Sequence, residues 1–386
     1  MTGWLLADFS AQIPANDPSS ITGCSTTLTG TVLQDSRQTK HGFKTTMAVN
    51  GQIRGKILLY FPRHIKPPMA NDLIRLDAKV NALSGSNKGY LDWLQQQGIH
   101  ASANATSYEK TGVATGFFAS IKALRRNIGY RFSQLIPDAN MAGLAKAMLL
   151  GDRTDLDSDL RADFSSAGLS HVLAISGMHL GILYVALQAL LSFMLYLPLG
   201  RQIRAVILIL TLAGFAVFTG GNPAICRAAI MLGLLELGQS FWQKNYSLNA
   251  LAISALAFLC FDPQALFSPG FQLSYAAVLG ILLFQQPLAK YLSSRVKKMP
   301  RQLTNALAVT LTAQAATAPL VAIHFHSFPT YFLFANLLLL PFVAFAANIG
   351  FAGFVLAWVP GINTAWAGVC LLYTSDAADD MQCVDL

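Results

Sequence analysis

Four short segments of this chain set polar or cationic side chains inside long apolar runs, where such groups face a bundle interior or a water-filled cavity. In Thr219-Gly-Gly-Asn-Pro-Ala-Ile-Cys-Arg-Ala-Ala-Ile-Met231, Asn222 is a good helix N-cap and Pro223 a good first helical residue. Arg227 then lies one turn inside an apolar helix. Together with the positive helix end and its free N–H groups it could hold a phosphate, or it could pair with Asp152 or Asp262. In Ser268-Pro-Gly-Phe-Gln-Leu-Ser-Tyr275 the Pro269-Gly270 break precedes a helix that carries Gln272 and Ser274 into the apolar phase. The segment Leu169-Ser-His-Val-Leu-Ala-Ile-Ser-Gly-Met-His-Leu-Gly181 brings His171, Ser176 and His179. The two histidines are separated by about 80° around a helix, and no third ligand lies near, so no metal site is expected. Gly177 and Gly181 form a small-xxx-small pair suited to close helix packing, which with buried hydrogen bonds is the simpler account of this segment. The fourth segment runs from Gln314 to Pro319 and is followed by Asn336 and Pro341. It fits irregular helices lining a cavity, or ordinary kinks with locally satisfied amides.

Other chemistries lack their motifs. The chain has no GxxxxGK[ST] phosphate loop, no GxSxG nucleophile turn and no HExxH zinc helix. His324-Phe-His326 lacks a following aspartate. None of the five cysteines (Cys24, Cys226, Cys260, Cys370 and Cys383) forms a CxxC pair. No cofactor and no catalytic group are expected.

Apolar segments lie near 171–196, 205–220, 225–240, 248–261, 272–287, 303–324, 331–348 and 351–369. A full span needs about 20 residues, so the shorter ones are expected to be broken or re-entrant. Loop 288–302 holds Lys290, Arg295, Lys297, Lys298 and Arg301, which predicts a cytoplasmic position. By parity loops 241–247 (Lys244) and 197–204 (Arg201, Arg204) share that side, and residues 1–170 face the periplasm.

Ahead of these segments, residues 25–108 alternate as strands do, over Thr27–Leu33, Phe43–Val49, Ile53–Phe61, Leu73–Leu83 and His100–Ala105. A short helix is expected over Gly89–Gln97. Five short strands predict a small OB-like β-barrel, a fold that binds single strands through basic grooves and aromatics. Arg54, Lys56, Arg63 and Arg75 are the basic candidates there. Tyr60, Phe61 and Tyr90 are available for stacking, though for each of them a place in the barrel core is the commoner outcome. Residues 114–135 mix Phe117, Phe118, Ile121 and Leu124 with Arg125, Arg126 and Arg131, as an interfacial helix does. A polar helical region, 141–170, follows and contains Gly151-Asp152-Arg153.

The fold class is thus multi-domain, a soluble OB-like barrel followed by an α-helical polytopic membrane bundle. Composition agrees: the chain is 53% hydrophobic and 12% charged, about half the charge of a soluble domain. Residues 21–131 carry 15 Lys and Arg against 5 Asp and Glu, or +10, while the whole chain carries +8. The positive field belongs to the soluble part, which suits a polyanion or an anionic membrane surface equally. Five segments are expected: a remnant at 1–24, the barrel at 25–110, amphipathic or interfacial helices at 111–170, the membrane domain at 171–369, and a tail at 370–386. That tail, Cys370-Leu-Leu-Tyr-Thr-Ser-Asp-Ala-Ala-Asp-Asp380 onward, reads like translated sequencing adapter and interrupts an apolar run. The start lacks a signal peptide, so Met1 is expected to be an internal start.

Taken in order, several segments resemble the ComEC family of DNA-internalisation proteins. These are Leu150-Gly-Asp-Arg153, Gly168-Leu-Ser-His171 running into Ala174-Ile-Ser-Gly-Met-His179, Thr219-Gly with Arg227-Ala-Ala-Ile-Met231, Asp262-Pro263, Phe271-Gln-Leu-Ser-Tyr-Ala-Ala277, and Asn336 with Pro341. Tyr90-Leu-Asp-Trp-Leu-Gln-Gln-Gln-Gly-Ile99 looks like the end of the family's OB-like domain. The resemblance covers about residues 25–369. It implies natural transformation: one DNA strand passes to the cytoplasm and the other is degraded. Many members carry a C-terminal metallo-β-lactamase-like domain thought to be the nuclease. The sequence shows neither that domain nor the helices ahead of the barrel, so truncation at both ends is expected and no enzyme is assigned.

Three functions compete. The first is an inner-membrane channel for single-stranded DNA, with membrane lipid, a periplasmic DNA receptor, a cytoplasmic ATPase or helicase and further copies of the chain as partners. The second is a secondary transporter of a small anionic solute using Arg227. The third is a membrane-anchored interaction module.

Overall fold

The computed structural model describes residues 17–39, 42–50, 55–84, 91, 94, 95, 98–136, 138–152, 154–156, 164, 175–241, 247–296 and 300–325. The chain divides into two compact units, 1–126 and 127–386.

In the first unit, strands β1 (Ser25–Val32), β3 (Gly42–Val49), β4 (Gly55–Pro62), β6 (Ile99–Ala105) and β5 (Asp72–Ala82) pair in that order, and β1 returns to β5. The sheet is therefore a closed five-stranded barrel. All its pairs are antiparallel except β4 with β6. Numbered along the chain, the barrel strands run 1-2-3-5-4-1, which is the OB arrangement. Period-two burial produces it: Met47 and Val49 on β3, Ile57, Leu59 and Phe61 on β4, and Ile74, Leu76, Ala78 and Val80 on β5 all point into one core. Each predicted strand lies within about two residues of the observed one because that alternation fixes face and register together.

Leu58 breaks the rule, since it faces outward yet is buried. Leu94 and Ile99 cover it, and Leu91, Leu94 and Gln95 are helical as the predicted 89–97 helix requires. Two strands were not anticipated. The three-residue β2 (Arg37–Thr39) pairs with β3, and β7 (Glu109–Val113) pairs with β5, beyond residue 110. Neither has an apolar face to announce it.

Helix α1 (Phe117–Leu135) is tied to the barrel by hydrogen bonds that include Lys122 Nζ donating to the Leu33 carbonyl at 3.1 Å and Asn71 Nδ2 to that of Ala119 at 3.3 Å. Burial lowers the Lys122 pKa, and nearby Asp35 acts against that shift. Phe117 and Phe118 stay exposed, while Ile128 and Phe132 further along pack on helix α2 (Ala139–Ala145) and the π-helical turn Lys146–Leu150.

The second unit continues with α3 (Gly177–Leu190, extended by a 3-10 turn to Tyr196), α4 (Gly200–Phe218), α5 (Pro223–Phe241), α6 (Ser247–Phe261), α7 (Pro269–Arg295) and α8 (Arg301–Phe325). Four of these, α3 with its extension, α4, α7 and α8, are long and apolar enough to cross a membrane. Helix α5 has similar length but carries Arg227 and Glu236, and α6 has only 15 residues, as the short 248–261 segment suggested. Helices α7 and α8 touch at Gly280, where a β-carbon would lie 2.6 Å from Ala316 Cβ. The apolar segments 331–348 and 351–369, with Asn336 and Pro341, lie outside the described residues, as does the tail from 370.

Candidate functional site

The α4–α5 turn folds as its residues dictate. The Gly221 N–H returns to the Ala216 carbonyl at 2.9 Å, closing α4. Asn222 Oδ1 accepts from the Ala224 N–H at 3.0 Å, capping α5 with Pro223 in first place. Arg227 follows one turn in and is buried, 5% exposed. Its guanidinium donates to the Gly270 carbonyl at 3.0 Å and lies 5.6 Å from the centre of the Phe258 ring, while its Nε has no partner among the described residues. No described carboxylate neutralises it. Of the two suggested partners, Asp262 is exposed, and Asp152 Oδ1 accepts from the Thr154 N–H at 3.1 Å and from its hydroxyl.

Gly270 belongs to the start of α7, capped by Ser268, whose Oγ accepts from the Phe271 N–H at 3.3 Å. On the other side of α5, Gly177 begins α3, and a β-carbon there would lie 3.1 Å from Ala228 Cβ. Three helix N-termini therefore meet at one end of the unit, around a buried cation. Each contributes roughly half a positive charge. Such an arrangement repels cations and is relieved by an anion.

The other predicted residues divide around this point. Ser176 and His179 form a capping box at the start of α3: the ring Nδ1 of buried His179 accepts from the Ser176 N–H at 3.3 Å and lies 3.1 Å from its hydroxyl. Among the described residues nothing lies within 4 Å of a β-carbon at Gly181, so there only Gly177 of the small-xxx-small pair makes a packing contact. Gln272 spans two helices, donating to the Leu266 carbonyl at 3.0 Å and accepting from His324 Nε2 at 2.8 Å. That second bond draws in His324, whose His-Phe-His setting lacks the aspartate of a metal motif. Ser274 is half-buried on α7. Gly151 caps the π-helical turn at φ 71°, and with the Asp152–Thr154 bonds this makes Gly151-Asp152 a chain-reversal device. Arg153 and His171 lie outside the described residues.

A second polar cluster was missed. Glu236 on α5 is fully buried, accepting from Tyr184 Oη at 2.6 Å, from Gln188 Nε2 at 3.0 Å and from Arg204 at 3.2 Å. The signal was present, since Glu236 is the one acidic residue between 177 and 241 and an acid inside apolar helices needs a cation.

On the barrel, Tyr60 is 37% exposed on β4 and faces Lys44 across the pair with β3. Thr39, Phe43, Tyr60 and Asn104 line a cleft of about 380 Å³ there. Lys56 is exposed on the same strand and Arg63 just past its end. Phe61 faces inward, 2% exposed, so the core claims it, while Tyr90 and Arg54 lie outside the described residues. Arg75 is on β5, opposite Glu109 in register, so it does not share the β3–β4 face.

An OB barrel ahead of apolar helices that hold buried polar clusters defines a membrane protein with a soluble module. The competence protein model matches residues 148–379, reaching into the tail set apart from residue 370, and the chain belongs to that family, the ComEC-type competence proteins. It is 30% identical over 295 residues to ComE operon protein 3 of Bacillus subtilis, covering 76% of this chain and 36% of that protein. It is 27% identical over 235 residues to competence protein ComA of Neisseria gonorrhoeae, covering 54% of this chain and 32% of that one. An uncharacterised Aquifex aeolicus protein is 30% identical over 202 residues, covering 52% and 45%. The chain thus spans less than half the length of these relatives. No solved structure matches it.

Proposed function

We propose that this chain admits single-stranded DNA across the bacterial inner membrane during natural transformation, its barrel on the periplasmic side and its helices forming the conduit. The observation that carries this is Arg227, a buried guanidinium with no described carboxylate, set where the starts of α3, α5 and α7 converge. A row of phosphates is an anion that suits such a place, and membership of a competence family supports DNA as its source. The helix order fits the orientation: connections α3–α4, α5–α6 and α7–α8 carry or adjoin the Lys and Arg, and the opposite connections hold none. Arg227 then sits at the periplasmic mouth, and a cytoplasmic ATPase or helicase draws the strand.

Reconstituted in planar bilayers, the chain is expected to pass current that single-stranded DNA interrupts. Arg227→Gln, at equal protein, is expected to shorten each interruption about tenfold, the value of one charge-assisted bond. Interruptions unchanged in that variant contradict the proposal. Uptake of a small labelled anion that DNA does not inhibit favours the solute-transporter reading instead.

The barrel is expected to receive the strand through the Tyr60–Lys44 face. Tyr60→Ala in the whole chain is expected to weaken oligothymidine binding by about 1–3 kcal/mol, as loss of one stacked base does. Affinity is expected to fall steeply with salt. A salt-independent affinity, or none, removes the barrel from the DNA path.

A further inference from the structure

At the opposite end of the helical unit, where α4 begins and α5 ends, lies a cleft of about 330 Å³ lined by Leu195, Arg201, Arg204, Gln239 and Ser240. Its polar lining is incomplete in a specific way. Ser240 is 6% exposed and its hydroxyl has no partner among the described residues, and the buried Arg204 Nε has none either. Arg204 spends one amino group on Glu236, whereas Arg201 makes no hydrogen bond or ion pair among the described residues. Two guanidiniums against one carboxylate leave a single positive charge. The helix ends here, the start of α4 against the ends of α3 and α5, leave a net of roughly half a negative charge, less than the surplus guanidinium carries, so the arginines set the sign.

The turn before α4 is shaped to present them. Leu199 sits at φ 59°, in the left-handed region that β-carbons disfavour. Gly200 leaves no room for a side chain: a β-carbon would fall 1.6 Å from the Met194 carbonyl oxygen. Around this turn Leu195, Tyr196, Leu199 and Ile203 are exposed and apolar.

We propose that this cleft binds the phosphate of an anionic phospholipid. A phosphodiester carries one negative charge and offers acceptors to Arg201, to Arg204 Nε and to the Ser240 hydroxyl, which are the donors left over. Acyl chains would lie along Leu195, Leu199 and Ile203, a surface that free phosphate does not use. Basic clefts between spanning helices take lipid headgroups in this way. The inference is independent of Arg227 and of the DNA proposal.

The test uses the whole chain, delipidated in detergent and titrated with phosphatidylglycerol, phosphatidylcholine or inorganic phosphate under native mass spectrometry. Phosphatidylglycerol is expected to bind in preference. Arg201→Gln is expected to weaken it about fivefold, the share of one arginine near a membrane surface, and Ser240→Ala to weaken it less. Phosphatidylcholine binding is expected to be unchanged in both variants. Neither substitution touches a Glu236 bond, and Ser240→Ala removes only a hydroxyl with no partner among the described residues, so it remains informative if Arg201→Gln fails to fold. Equal phosphatidylglycerol affinity in wild type and variants overturns the proposal. Inorganic phosphate binding as tightly as phosphatidylglycerol assigns the cleft to a free anion and also overturns it, as does its displacement of lipid by oligothymidine.

Discussion

Replacing Glu236 with alanine is expected to remove about 3–5 kcal/mol from the helical unit, the loss that follows when one member of a buried ion pair is deleted. The carboxylate is fully buried and takes bonds from three side chains, so its removal leaves the Arg204 guanidinium without its counter-charge and the Tyr184 O–H without its acceptor. Native stabilities of about 5–15 kcal/mol leave little margin, and Glu236→Ala is expected to lower both the amount of folded membrane protein and its thermal midpoint. The paired replacement Glu236→Leu with Arg204→Met separates the cost of an orphaned charge from the worth of the pair. It is expected to recover most of the loss, because apolar substitutes of similar volume often equal a buried ion pair. A double variant as unstable as Glu236→Ala alone would mean that packing, not charge, governs this cluster.

In the barrel the largest expected effect belongs to Phe61. It is 2% exposed and its ring meets Tyr108 edge-on with centroids 5.6 Å apart. Phe61→Ala is expected to cost about 3–5 kcal/mol through lost burial and the cavity left behind. Hydrogen exchange should show this as faster exchange across β3, β4 and β6, the strands that share or flank its position. Its neighbour Tyr60 provides the internal control. Tyr60 points outward from the same strand, so Tyr60→Ala is expected to leave barrel exchange nearly unchanged while weakening single-stranded DNA binding. If both substitutions unfolded the barrel equally, the outward face of β4 would be structural and the binding face would have to lie elsewhere.

That contrast shows what the sequence could reveal. The five barrel strands were legible because inward residues recur every second position, as Ile57, Leu59 and Phe61 do. β2 and β7 were not, because Arg-Gln-Thr and Glu-Lys-Thr-Gly-Val have no such face. Asn222, Pro223 and Ser268 could be read as caps from local chemistry alone. The partner of Arg227 could not. The residues proposed for it were carboxylates, whereas the group it contacts is a backbone carbonyl 43 positions away, supplied by the start of another helix. The Glu236 cluster joins side chains 32 to 52 positions apart, which no local pattern reports. Only the rule that an isolated intramembrane acid requires a cation pointed to it.

A carboxylate clasped from three directions allows none of its holders to rotate alone. Helices α3, α4 and α5 are therefore cross-linked into one group, and α7 and α8, interlocked at Gly280, form another. The Arg227–Gly270 bond joins the first group to the second, and α6 bridges them as well through the bond from Tyr275 Oη to Ser254 Oγ, so any shear between the two groups must strain both bonds.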